Sequence, residues 1–212
     1  MTVPASIEFI AVGVSALTGV LAARGRDIDL FGVLVLAVVT AFGGGTLRDL
    51  MVGDTPVFWL RSSAYLYTGL GVGLVSFYAF RKRGPHALVL AVADAFALAL
   101  FNVVGARKGL ALGFDSSVAV LLGIVTGVAG GILRDVLVGQ VPVVFRPTTP
   151  LYATAAAAGG LVYAALLRSA HWSTDVAEFC GVAVCLMLRL GALRFQLRLP
   201  AFDPAAESPR DS

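Results

Sequence analysis

Two short strings carry the residues of chemical interest. TAFGGGTLRDL at residues 40–50 and TGVAGGILRDV at residues 126–136 each run from a threonine (Thr40, Thr126) through glycines to an adjacent arginine and aspartate, at the end of an apolar stretch. Gly43, Gly44 and Gly45 in the first copy, and Gly130 and Gly131 in the second, each cost about 1 kcal/mol in a helix relative to alanine. Unwinding at these glycines would free backbone carbonyls, which lipid cannot satisfy but which can replace part of a cation's hydration shell. Close helix packing is the plainer role for the same glycines. Arg48, Asp49, Arg134 and Asp135 follow them. Ionisable groups within a membrane pair with one another or face a water-filled path, whereas near an interface they are ordinary anchors.

The elements that hold these strings are hydrophobic throughout. Of the 212 residues 58% are hydrophobic and 14% charged, far from the roughly one-quarter charged balance of soluble domains. No polar block is long enough to fold separately, so residues 1–199 form one integral membrane domain. At about 20 apolar residues per crossing, seven spans fit residues 6–23, 30–50, 63–80, 87–106, 117–138, 150–167 and 176–193. The proline-rich acidic tail, residues 200–212, is expected to be a disordered cytoplasmic segment. Of the 16 Lys and Arg residues, 11 fall on the inner side if the N terminus is outside. That arrangement satisfies the positive-inside rule, with the C terminus cytoplasmic and the protein in the cell membrane.

A shift of 86 residues superimposes the two strings and also aligns Gly53 with Gly139, Pro56 with Pro142 and Glu8 with Asp94. The shift moves three spans, an odd number, so the second copy enters the membrane inverted. Repeat one covers residues 5–83, repeat two 87–169, and a seventh helix, 175–196, follows. Permeant sites in such folds lie at the repeat interface beside interrupted helices. Neighbours at i and i+1 on a helix do not face each other, so each arginine is expected to find a partner on another span. The expected pairs are Glu8 with Arg48 and Asp94 with Arg134, which leaves Asp49 and Asp135 open to water or a cation. Asn102, alone in the fourth span, fits either an interhelical hydrogen bond or a pore wall. Gly69 and Gly73 form a small-residue face, matched by Ala155 and Gly159, suited to tight helix contacts within or between subunits.

With its doubled T-x-x-G-G-x-x-R-D-x-x-x-G-x-x-P motif in a three-span inverted repeat, the chain resembles, over residues 5 to about 196, the prokaryotic members of the trimeric intracellular cation channel family. The sequence domain of that family also bears the name glycine transporter. The resemblance implies a homotrimer with one hourglass pore per subunit, second and fifth spans kinked at the glycines, and permeation of monovalent cations, chiefly potassium, with potassium or sodium ions as the partners. The second copy departs from the pattern at Ala129, where the first has Gly43. Arg107 and Lys108, after the fourth span, are candidates by location for the lipid-binding basic positions of the family's animal members.

Other functions fit less well. A secondary carrier of a small amino acid such as glycine would use the same broken helices and inverted repeats. An enzyme is not expected, because His86 and His171 fall in links and no span carries a nucleophile–base set. No cofactor is expected, and no metal beyond transient monovalent cations. The scattered basic residues make no nucleic-acid surface. Cys180 and Cys185 lie in one apolar run, off a common helix face, as small packing residues.

Overall fold

A computed structural model describes residues 5–82, 87–147, 149–169 and 171–200. Residues 201–212 of the expected tail, with Arg83 and His86, lie outside the described residues. The described chain is all-helical. Its order is α1 (Ala5–Ala23), α2 (Leu30–Met51), the short α3 (Phe58–Arg61), α4 (Ser63–Phe80), α5 (Ala87–Ala111), α6 (Ser116–Leu137), a 3-10 turn (Val143–Phe145), α7 (Ala153–Arg168) and α8 (Thr174–Phe195). Six helices are long and apolar enough to cross a membrane, and α7, with 16 residues, is the shorter seventh. Large apolar side chains such as Phe31, Tyr67, Val75 and Phe179 remain exposed, as lipid-facing positions require.

Local signals set the helix ends. The Asp29 carboxylate accepts from the backbone N–H of Gly32 and the Ser173 hydroxyl from that of Val176, capping α2 and α8. Past the ends of α2 and α6, Gly53 and Gly139 adopt φ of 67° and 69°, the left-handed geometry that glycine takes without a Cβ clash. These two are partners under the 86-residue shift, so both repeats turn out of their motif helix in the same way.

Within repeat one, α1 packs on α2 and α4; within repeat two, α5 packs on α6 and α7. The halves meet where α2 crosses α6 and α1 lies along α5, while α8 covers α7 and α5. The small-residue faces join helices of one chain: Gly69 approaches Phe42, Gly73 approaches Leu34 and Ala37, and Gly159 approaches Gly181 and Cys185. Close approach is therefore used inside the subunit at these positions. Cys180 and Cys185 are free thiols.

Candidate ion pathway

Both motif helices run unbroken through their glycines, α2 from Leu30 to Met51 and α6 from Ser116 to Leu137. The unwound backbone expected there is absent, and the carbonyls stay in the helix ladder. The glycines serve a crossing instead. A methyl group on Gly44 would lie closer than 3.0 Å to the backbone oxygen of Thr126, and one on Gly130 equally close to the backbone oxygen of Thr40. The contact is reciprocal about the pseudo-twofold axis, each glycine receiving the carbonyl of the other repeat's threonine. In lipid, where association depends on van der Waals packing, a missing side chain allows that approach. A Cβ on Gly43 would meet the Leu133 side chain and one on Gly45 the Phe58 ring, and Gly131 has more room, with the Tyr152 hydroxyl 3.5 Å from where a Cβ would lie.

The charges form two mirrored clusters, both buried. Arg48 lies 3.7 Å from Glu8, and Arg134 lies 2.8 Å from Asp94, as the span map predicts. The expectation that arginine and aspartate within each step would stay apart is overturned. Arg48 Nε donates to Asp49 Oδ1 at 2.8 Å and Arg134 Nε to Asp135 Oδ1 at 2.9 Å. The arginine side chain is long enough to fold along the last helical turn, where an aspartate set against the negative end of the helix dipole needs a cation. Neither aspartate is left open as expected: both are buried, with only Asp135 reaching the wall of a cavity, and the second oxygen of each accepts a backbone N–H, from Phe58 at 2.7 Å and Val143 at 2.8 Å. Two tyrosines complete the clusters. Tyr65 donates to Glu8 Oε2 at 2.7 Å, and Tyr152 is paired with Asp94. Even the loops agree, since Arg61 Nε donates to the Pro56 carbonyl and Arg146 Nε to that of Val141.

Packing differs between the two ends. Around the outer cluster, Phe42 stacks on Trp59 while Phe58 meets Phe42 and Tyr65 edge-on, with centroids 5.2–5.9 Å apart, and Arg48 lies over Phe58. The corresponding places in repeat two hold Val128, Val143, Val144 and Tyr152, which fill less space. There a cavity of about 410 Å³ opens, with Asp94, Arg134 and Asp135 in its wall. Behind it, sharing Asp94 and Arg134, lies a chamber of about 10 Å³ at the helix crossing, lined by Ser15, Thr18, Thr40 and Thr126. That is room for about one water or one dehydrated cation. Asn102, fully buried, donates to the Ala156 carbonyl and lies outside the walls of the chamber.

At the outer end Lys108, the candidate lipid contact, is bonded through Nζ to both Asp49 and Asp54, while Arg107 is paired with Glu178 on α8. The Lys108 ammonium, then the Arg61 guanidinium, hold the loop carboxyl of Asp54 below its ordinary value of 3.8. A depressed folded pKa contributes stability that is present above the unfolded value and lost as pH falls through the folded one. Asp54→Asn is therefore expected to lower the melting midpoint at neutral pH, with the deficit against the parent closing only below pH 3.8. A deficit that closed near neutrality would mean that Asp54 is not held by Lys108.

The fold and these clusters define an integral membrane protein with an inverted three-helix repeat and a polar route at the repeat interface. The family described as Glycine transporter matches twice, over residues 5–81 and 91–168, one match per repeat. A UPF0126 membrane protein of Vibrio cholerae is 40% identical over 92% of this chain and 81% of its own length. The UPF0126 inner membrane protein YadS of Escherichia coli is 38% identical over 92% of this chain and 94% of its own. Among solved structures, the TRIC trimeric intracellular cation channel orthologue from Rhodobacter sphaeroides is similar with a TM-score of 0.85 at 35% identity, covering 93% of this chain and 100% of that one. The chain belongs to the TRIC channel family.

Proposed function

We propose that the protein is a monovalent cation channel, conducting potassium or sodium through a pore within each subunit of a homotrimer. The observation that carries this reading is the polar route itself: a wide inner cavity narrowing at the repeat axis to a chamber for about one water. Ser15, Thr18, Thr40 and Thr126 line that chamber, their hydroxyls donating to backbone carbonyls so that only lone pairs are left for a cation, and weak, partial replacement of a hydration shell is what conduction requires. In this conformation the route narrows to that chamber at the helix crossing, so opening needs α2 and α6 to shift relative to each other. The family relationship supports the trimer, and the lysine and arginine distribution supports an N terminus outside and a C terminus in the cytoplasm of the inner membrane.

A planar-bilayer recording of the purified protein under a potassium chloride gradient tests this. The expected result is unitary current reversing near the potassium potential. Thr126→Val, which removes one chamber hydroxyl at nearly constant volume, is expected to reduce unitary conductance several-fold. A route open at one end and closed at the other also suits a carrier of a small amino acid. Gradient-driven concentration of glycine into liposomes without unitary currents would establish the carrier instead.

A further inference from the structure

The seventh span, α8, has no counterpart in either repeat, yet one of its side chains reaches the inner charge cluster. Arg189 is 2% exposed and forms no ion pair among the described residues. Its partners all belong to the segment that enters α7. One terminal nitrogen donates to the Pro150 carbonyl at 2.9 Å and lies 3.5 Å from that of Leu151, and the guanidinium lies over the Tyr152 ring at 4.6 Å. Just past α8, Gln196 takes a φ of 54° and turns the chain, and the Leu197 carbonyl accepts the N–H of Leu151 at 3.0 Å. Pro150, Leu151 and Tyr152 are thus fastened to α8. Repeat one holds its own tyrosine differently: the Tyr65 ring stacks on Phe9 at 4.4 Å and meets Phe58 edge-on. The 86-residue shift puts Ala95 in the place of Phe9, and Val143 stands in that of Phe58, so Tyr152 lacks both rings. A guanidinium withdrawn from water over the ring face supplies the support they would give, and holds more strongly than an exposed one.

Tyr152 in turn bonds Asp94. The Tyr152 hydroxyl, an Arg134 nitrogen and an Asp94 oxygen converge within 3.5–3.7 Å of where a Cβ on Gly131 would lie. Asp94 and Arg134 stand in the walls of both the inner cavity and the chamber, where the one gives onto the other. We infer that Arg189 is a positioning residue for the ion path: it keeps the Tyr152 hydroxyl on Asp94, and so keeps that carboxylate a weak cation site at the mouth of the chamber. The effect on the path rests on the channel reading, whereas the hold of Arg189 on Tyr152 does not. A site on a conducting route must release its cation as readily as it takes it. With Arg134 and Tyr152 both donating to it, Asp94 has little acceptor capacity left for a passing ion. Without the hydroxyl, a lone pair of a buried carboxylate faces the route and holds the cation longer.

Unitary current in planar bilayers, recorded against potassium concentration, gives a plateau and a half-saturating concentration. Tyr152→Phe keeps the ring, removes only the hydroxyl, and is expected to lower both several-fold. Arg189→Gln is expected to do the same, and Arg189→Lys, which keeps a cation at the ring, to return most of the way to the parent. The double variant Arg189→Gln, Tyr152→Phe should shift no further than the larger single change. Glu178→Gln breaks the ion pair with Arg107 at the other end of α8, so it is expected to lower the melting midpoint and leave the half-saturating concentration in place. An unchanged half-saturation in Tyr152→Phe or Arg189→Gln overturns the role, as does an equal shift in Glu178→Gln. The second readout needs no current. The loss of melting midpoint in the double variant should fall short of the sum of the single losses, because the hydroxyl bond depends on the arginine. Additive losses refute the hold of Arg189 on Tyr152 whether or not the protein conducts. A parent without unitary current refutes the channel reading and with it the effect on the path, and the coupling alone then decides whether Arg189 places Tyr152.

Discussion

Gly44→Ala and Gly130→Ala are each expected to destabilise the protein by about 1–3 kcal/mol or more, the range for overpacking a well-fitted site. The added methyl meets backbone at both positions: closer than 3.0 Å to the oxygen of Thr126 in one case and of Thr40 in the other. A backbone carbonyl fixed in its helix ladder cannot swing aside as a side chain can. The whole α2–α6 crossing must separate, and with it the chamber walls at Thr40 and Thr126. Gly71→Ala is the matched control, since nothing lies within 4 Å of a Cβ there and alanine is the better helix former. Unfolding midpoints in detergent for the three variants check this. If Gly44→Ala and Gly71→Ala melt alike, the crossing is looser than the structure describes. Gly45→Ala is expected to fall between, because its new methyl meets the Phe58 ring, a side chain, where the other two meet backbone.

That outcome bears on how far the sequence can be read. The inverted repeat, the seven spans and the Glu8–Arg48 and Asp94–Arg134 pairs follow from hydropathy, an odd number of shifted spans and the high cost of unpaired charge in lipid. The role of the glycines does not. A glycine-rich string reports that side chains are missing, and the same absence serves a broken helix or a helix pressed against another backbone; only the position of α6 against α2 separates the two. The pairing of Asp49 and Asp135 within their own helices differs from the sequence expectation for a related reason. The i and i+1 rule describes where Cβ atoms point, and a long arginine at a helix end is not bound by it. Tyr65 and Tyr152 escape the 86-residue shift because they stand 87 positions apart, and the link before them departs from it in the other direction, with Phe58 and Val143 standing 85 apart. Arg189 has no counterpart in repeat one, so no internal comparison could single it out.

Arg134→Met is expected to be the most damaging single change in the chain. Its guanidinium, 1% exposed, holds Asp94 at 2.8 Å and Asp135 at 2.9 Å. Removal leaves two buried carboxylates without the guanidinium that bonds both, and breaking a buried pair by deleting one partner costs about 3–5 kcal/mol. Most of that cost is the charge left behind, not the loss of attraction. A second substitution, Asp94→Asn, should therefore return part of the lost stability to Arg134→Met, although the same Asp94→Asn is destabilising in the parent. Lysine supplies the charge but not the planar fork that reaches both aspartates, so Arg134→Lys should lie between parent and Arg134→Met. Arg48→Met is expected to cost less than Arg134→Met. Its pairing with Glu8 is longer, at 3.7 Å, and Asp49 keeps Lys108 after the arginine is gone. Chemical unfolding of the four variants and the double variant in the same detergent gives the ranking. Equal losses at Arg48 and Arg134 would mean that Lys108 does not compensate Asp49, and an Arg134→Met protein not helped by Asp94→Asn would place the damage in lost packing, with uncompensated charge playing no part.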